Sequence, residues 1–81
     1  MSTSVAVADA TKFYQRALFV ALKAREQAVR DGNTEMRVIL DERIAYTQDC
    51  IKAVKFVGKT GASPVEAFAF YGIDIRKGGR L

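Results

Sequence analysis

The chain has 81 residues, 49% of them hydrophobic, and its 13 basic and 9 acidic side chains give a formal charge of +4. This length limits the chain to one domain, and the ordinary apolar content excludes wholesale disorder. Histidine is absent and cysteine occurs once, which removes the commonest general base and any internal disulfide. We therefore expect a single small domain, residues 1–81, that is not an enzyme and has no metal site and no cofactor.

The N-terminal residues predict neither export nor membrane insertion. The apolar run 5–8 is very short and follows no basic segment, unlike a signal peptide. No apolar run reaches the roughly 18 residues that a membrane-spanning helix requires. We expect cytoplasmic synthesis and no membrane partner, with a final location, such as a virion, left open.

The first predicted helix covers about residues 9–30. Four of its alanines recur at spacings of four, three and four residues: Ala17, Ala21, Ala24 and Ala28. This spacing places them on one face, where small side chains favour close packing against another helix. Phe19 falls on the opposite, polar face.

The second predicted helix covers about residues 34–57 and is expected to end at Gly58. Asp31-Gly32-Asn33 separates it from the first helix, because Gly32 tolerates a left-handed backbone and Asn33 can cap a helix. Six of its residues are expected on the dry face: Met36, Leu40, Ile44, Cys50, Ile51 and Val54. Two helices of similar length with a short connection predict an antiparallel hairpin.

The third predicted helix is short, about residues 64–71. Ser63-Pro64-Val65-Glu66 combines a capping serine, a proline at the first helical position and a capping-box glutamate. Its aromatic residues predict docking on the hairpin, and Gly72 ends it. Residues 73–81 then form an extended basic tail, so the predicted fold is all-α: a hairpin, a short third helix and a tail.

Two sequence features resemble chemical sites, but each is better explained by a structural role. Residues 53–60 fit a loose phosphate-loop pattern with Lys59 and Thr60 at its end, yet they close a helix instead of opening one, so we interpret them as a helix end. Cys50 lies on the predicted dry face with no histidine to activate it, which favours a small core residue.

Two arginines, Arg25 and Arg43, fall within apolar arcs. Each either extends its charged end to solvent or pairs with an acidic residue such as Glu42 or Asp49.

Three large apolar side chains fall on otherwise polar helix faces: Phe19, Val38 and Phe56. Exposed aromatics on a small hairpin indicate a contact surface. In the tail, Ile73 and Ile75 share one side of an extended strand and are candidate apolar anchors. The following Arg76, Lys77 and Arg80 are candidate contacts to an acidic surface.

The hairpin with a basic, glycine-rich arm resembles, in layout, small assembly proteins of tailed-phage virions such as head–tail joining proteins. This resemblance implies a structural protein that forms a homo-oligomer or docks in a larger protein assembly. Two alternatives stay open. One is an RNA- or DNA-associated protein that uses the tail and the cations Lys12, Arg16, Lys23 and Arg30, with nucleic acid as a secondary candidate partner. The other is a small inhibitor that docks on an enzyme.

Overall fold

The computed structural model describes residues 3–73, with side chains from residue 7 onward. In this range the chain forms α1 (Thr3–Arg30), α2 (Thr34–Thr60) and α3 (Pro64–Phe70), with no strand. Helix α2 packs against both α1 and α3. The all-α prediction is confirmed for the described part, while the predicted tail beyond residue 73 lies outside it.

The connection between α1 and α2 follows from its local sequence. Gly32 has a φ of 69°, a left-handed conformation that costs glycine little. The backbone N–H of Asn33 donates to the carbonyl of Ala28 at 2.8 Å. The Asn33 side chain accepts a hydrogen bond from the backbone N–H of Met36 at 3.1 Å, which caps α2. The predicted stop signal and cap are therefore confirmed.

Both long helices extend beyond their predicted ends. Helix α1 begins at Thr3 instead of Asp9, and α2 continues through Gly58 to Thr60. A Cβ atom at Gly58 would lie 3.2 Å from a γ-methyl carbon of Val7, so glycine here allows the start of α1 to approach α2 closely. Gly61, with a φ of 72°, ends α2 instead.

The third helix forms as its capping signal predicts. The Ser63 hydroxyl accepts a hydrogen bond from the backbone N–H of Glu66 at 3.2 Å, and Pro64 occupies the first turn. The helix ends at Phe70, one residue before the predicted end.

The main hydrophobic core lies where all three helices meet, away from the α1–α2 turn. It consists of Ala10 and Tyr14 of α1, Cys50, Ala53, Val54 and Val57 of α2, and Ala67, Phe68 and Ile73. Phe68 is fully buried, and its ring centroid lies 6.4 Å from that of Tyr14. The aromatic ring of α3 therefore fills the space between the two long helices at this end.

The alanine face of α1 is only partly the contact with α2. Ala21 and Ala28 are buried as predicted, whereas Ala17 is half-buried and Ala24 is exposed. The prediction for Ala24 was wrong because the contact with α2 follows Ala21 and Ala28, and Ala17 and Ala24 lie at its side.

An ion pair joins the two long helices on the side away from α3. Arg25 of α1 pairs with Asp41 of α2, and the Arg37 guanidinium lies 4.0 Å from the same carboxylate. The predicted partners of Arg25, Glu42 and Asp49, are therefore replaced by Asp41. Since all three side chains are about 40% exposed, each pair contributes only a few tenths of a kcal/mol.

Candidate docking surface

Three rows of residues spaced seven apart lie on the side of the hairpin that α3 covers. Residues seven apart share one side of a packed helix. The row on α1 is Ala10, Ala17 and Ala24. One row on α2 is Met36, Arg43, Cys50 and Val57, and the other is Ile39, Tyr46 and Ala53. The members farthest from the α1–α2 turn share one core cluster with the α3 residues Ala67 and Phe68. This shared cluster identifies the side that α3 covers.

Burial along these rows decreases toward the α1–α2 turn. Ala53 is 0% exposed, whereas Tyr46 and Ile39 in the same row are 50% and 51% exposed. Cys50 is 0% exposed, and Met36 in its row is 43% exposed. Helix α3 is only ~10 Å long beside the ~40 Å of α2, so it covers only part of each row. The prediction that Met36 lies on a dry face was therefore wrong.

The uncovered half exposes a strip of apolar side chains along α1 and α2, which we call the loop-end groove. Six residues line it: Ala17, Val20 and Ala24 of α1, and Met36, Ile39 and Tyr46 of α2. Val20 is the most exposed of the large side chains, at 61%. From Tyr46 to Met36 the groove is ~15 Å long, which corresponds to about three helical turns.

Arg43 lies on α2 beside the loop-end groove, in the same row as Met36 and Cys50. It is exposed, so its charge carries no burial cost. Its neighbours three and four positions away on α2 are all uncharged: Ile39, Leu40, Tyr46 and Thr47. Within residues 3–73, no ion pair involves Arg43. The arginine therefore offers an available cation in an apolar setting.

The outer edges of this face carry opposite charges. Arg16, Lys23 and Arg30 form a row on α1, which we call the basic edge. Glu35, Glu42 and Asp49 form a row on α2, which we call the acidic edge. Both rows have a seven-residue spacing, so each follows the length of its helix.

Phe19 and Val38 are exposed as predicted but lie outside the groove. Each occupies the outward side of its own helix, and the Lys23 ammonium lies 5.6 Å from the centroid of the Phe19 ring. This cation–π contact covers part of the Phe19 ring within the chain. The two residues therefore do not form one continuous surface with each other or with the groove.

Phe56 is not on a solvated face, which corrects the sequence prediction. It is half-buried, and its ring stacks on that of Phe70 with centroids 5.7 Å apart and an interplanar angle of 5°. Phe70 itself is 73% exposed and meets the edge of Tyr71. Phe70 therefore replaces Phe56 as the exposed aromatic residue at this end.

Of the predicted basic tail, residues 73–81, the structure describes only Ile73. Ile73 is buried in the chain's own core, and its backbone N–H donates to the carbonyl of Phe68 at 2.9 Å. It is therefore unavailable as an anchor for a partner. The other predicted arm residues, Ile75, Arg76, Lys77 and Arg80, lie outside the described residues.

Cys50 lies on the dry face of α2, as predicted. Burial raises the pKa of its thiol above the ordinary value of 9.0, with a small further contribution from the Asp49 carboxylate, while hydrogen bonds with Tyr46 and Tyr14 oppose the rise. Burial likewise raises the pKa of Tyr46 above 10.0. A buried, protonated thiol is a weak nucleophile, so this geometry favours a packing role.

The interpretation of residues 53–60 as a helix end is confirmed. Lys59 and Thr60 lie in the last turn of α2, and the Thr60 hydroxyl donates to the carbonyl of Phe56 at 2.8 Å. The cap is Gly61 instead of Gly58, and the backbone N–H of Gly61 donates to the carbonyl of Val57 at 2.9 Å.

Sequence reasoning missed the loop-end groove because it treated each apolar face as uniformly covered. The signal was present in the predicted lengths, since a helix of about eight residues cannot cover a hairpin three times as long. Phe70 was missed for a related reason. In a two-turn helix only one side faces the core, and Ala67 and Phe68 already occupy it.

Comparisons with protein-family models, with curated proteins and with solved structures found no match. No helix within residues 3–73 is long and apolar enough to cross a membrane. In the same part of the chain, no three acidic, cysteine or histidine side chains gather as a metal site would require.

Proposed function

We propose that this chain is a small non-enzymatic structural protein that oligomerises or docks in a larger protein assembly. The observation that carries the proposal is the loop-end groove, a strip of exposed apolar side chains on a hairpin whose own third helix covers only one half. Contiguous exposed apolar surface on a small domain marks an interaction site. The resemblance of layout to phage head–tail joining proteins favours a virion as the setting.

The groove supplies a moderate part of the binding free energy. Complete burial of a large apolar side chain contributes roughly 1.5–3 kcal/mol, so the half-exposed Val20, Met36, Ile39 and Tyr46 offer about 1 kcal/mol each. Association costs about 4–15 kcal/mol in lost freedom, so the groove alone supports only a weak complex. The proposal therefore needs further contacts, and Phe70 together with the cations Arg76, Lys77 and Arg80 is the candidate set.

Nucleic-acid binding is the weaker alternative. The basic edge of α1 would suit a phosphate backbone, but the acidic edge of α2 follows the same face in parallel. The two rows offset each other, so this face lacks the concentrated positive field that nucleic-acid binding requires.

Site-specific photo-crosslinking in the cells that express the chain tests the proposal. A photoreactive residue replaces Val20 in the groove and, as a matched control, Leu22 on the opposite side of α1; both positions are exposed. We expect one discrete protein adduct from position 20 and little from position 22. Equal adducts from both positions, or none from position 20, would refute a docking role for the groove.

A further inference from the structure

Two open cavities lie along one side of the hairpin, between α1 and α2. One is near the α1–α2 turn, has a volume of about 420 Å³ and is lined by both Arg25 and Arg37. The other has a volume of about 460 Å³ and six lining residues: Gln15, Leu18, Gln48, Ile51, Lys52 and Lys55. Within the described part of the chain, no residue of α3 lines either cavity. We call this side of the hairpin the cavity face and the second cavity the lysine cavity.

Both cavities belong to the same face because their lining residues repeat every seven positions. Leu18 lies seven residues before Arg25 on α1, and Ile51 lies fourteen residues after Arg37 on α2. Residues at this spacing share one side of a packed helix. The cavity face is therefore continuous along the hairpin, from the turn to the end at which the core lies.

Three lysines of α2 cluster at the core end of the cavity face: Lys52, Lys55 and Lys59. Their spacings of three and four residues make each a surface neighbour of the next, and like charges at such spacings destabilise a helix. All three are exposed, and none forms an ion pair within residues 3–73. One acidic residue, Asp49, is a neighbour of Lys52, but it lies on the acidic edge. The cluster therefore keeps positive charge that a bound anion would offset.

The cavity near the turn is also positively charged. The guanidinium groups of Arg25 and Arg37 share the single carboxylate of Asp41, so one positive charge is left over. From Arg37 to Lys55 the distance along α2 is ~27 Å. No acidic residue among those described lines either cavity. The charge pattern therefore matches an extended ligand that carries negative charge at several points along its length.

The lysine cavity adds features that distinguish among such ligands. Leu18 and Ile51 are half-buried, whereas Gln15 and Gln48 are exposed, so an apolar floor lies below a polar rim. The floor suits the flat face of a base, the carboxamides carry both a donor and an acceptor for its edge, and the ammonium groups suit phosphates. An acidic peptide would use the charges alone. A bilayer requires apolar side chains that protrude beyond the charged ones, and here they lie below them.

We propose that the cavity face binds single-stranded nucleic acid, with phosphates on the lysine cluster and one base in the lysine cavity. The strand is single because a base paired and stacked in a duplex cannot enter a cavity between two helices. This function goes beyond the docking role, which uses the loop-end groove on another side of the hairpin. The acidic edge, which offsets the basic edge beside that groove, does not border the lysine cavity.

Fluorescence anisotropy of a labelled oligothymidylate of about twelve nucleotides tests the proposal on the full chain. Lys52→Glu combined with Lys55→Glu should weaken binding at least about tenfold at low salt. It should also reduce the slope of log affinity against log salt concentration by about 1.4, because a single strand releases about 0.7 counterion for each phosphate neutralised. The matched control, Arg16→Glu with Arg43→Glu, makes the same change in net charge away from the cavity face. It should weaken binding less than about threefold, and equal losses in the two double variants would overturn the proposal.

Other anionic probes identify the class of ligand. We expect a polyglutamate peptide of the same charge, and vesicles that contain phosphatidylserine, to bind more weakly than the oligonucleotide. A strand of the same length without bases should also bind more weakly, because it leaves the apolar floor uncovered. Binding of the peptide or the vesicles at least as tightly as the oligonucleotide would overturn nucleic acid as the ligand. Equal affinity for the strand without bases would overturn the placement of a base in the cavity.

Amide chemical shifts locate the bound strand. They should concentrate at Gln15, Leu18 and Gln48, with little change at Ala24 and Ile39 in the loop-end groove. A footprint confined to residues 73–81 would show that the tail carries the binding and would overturn the proposal. Circular dichroism checks that each double variant folds, which we expect because all four substituted residues are exposed. Crosslinking from position 20 should be unaffected by the lysine substitutions, so the docking role and the nucleic-acid function fail or stand separately.

Discussion

The contact between Gly58 and Val7 predicts an effect of Gly58→Ala that depends on its neighbour. Alanine in a helix interior is favoured over glycine by about 0.8–1.0 kcal/mol. The new methyl group would lie 3.2 Å from a γ-carbon of Val7, which is tighter than ordinary packing. Overpacking typically costs about 1–3 kcal/mol, and the half-buried Val7 can shift enough to keep the cost near the lower limit. The two effects nearly cancel, so we expect a change within about 0.5 kcal/mol.

Removal of the Val7 methyl groups should reveal the stability that Gly58→Ala gains from the higher helix propensity of alanine. In the Val7→Ala background, Gly58→Ala should raise the free energy of unfolding by about 1 kcal/mol, or about 4–8 °C in melting temperature for a domain of this size. A double-mutant cycle, measured by urea unfolding with circular dichroism, yields the coupling between the two sites. Equal effects of Gly58→Ala in both backgrounds would refute the close approach of α1 to α2 at this position.

Three further predictions concern packing, titration and capping. Ala21→Leu should lower the free energy of unfolding by about 1–3 kcal/mol, whereas Ala24→Leu should change it by less than about 0.5 kcal/mol, because only Ala21 is buried; equal melting temperatures would contradict this difference. Because the folded state raises the pKa of Cys50 above 9.0, stability should be fully retained below about pH 9 and fall as the pH rises through the raised value. Cys50→Ala should reduce this fall and leave the part due to Tyr46, whose pKa burial also raises, and an unchanged pH profile would exclude the thiol as a cause. Ser63→Ala should cost about 1 kcal/mol through loss of the α3 cap, and a melting temperature equal to that of the wild type would show that the cap contributes nothing.

The helix signals that depend on local sequence were predictable. The turn at Gly32 and the caps at Asn33 and Ser63 each need only a few neighbouring residues, and the structure has all three. Gly58 shows the limit of such signals. A glycine near a helix end can stop the helix or allow close packing, and a residue of another helix, Val7, decides between these outcomes.

The candidate site was less predictable because it depends on what covers each face. Helical periodicity grouped Met36 with the buried Leu40 and Cys50, but Met36 is exposed, because periodicity cannot show where α3 ends along the hairpin. Phe56 illustrates the opposite case. Its position among polar residues suggested exposure, yet Phe70 from α3 stacks on its ring.

The size of the native complex tests the docking role of the loop-end groove most directly. Gel filtration of extracts from cells that express the chain, with detection of the chain itself, compares the wild type with Val20→Asp and with Leu22→Asp. We expect the wild type and Leu22→Asp to elute in a complex well above the 8.9 kDa of the single chain, and Val20→Asp to elute near that mass. Elution of the wild type as the free chain, or release by both substitutions alike, would contradict the account.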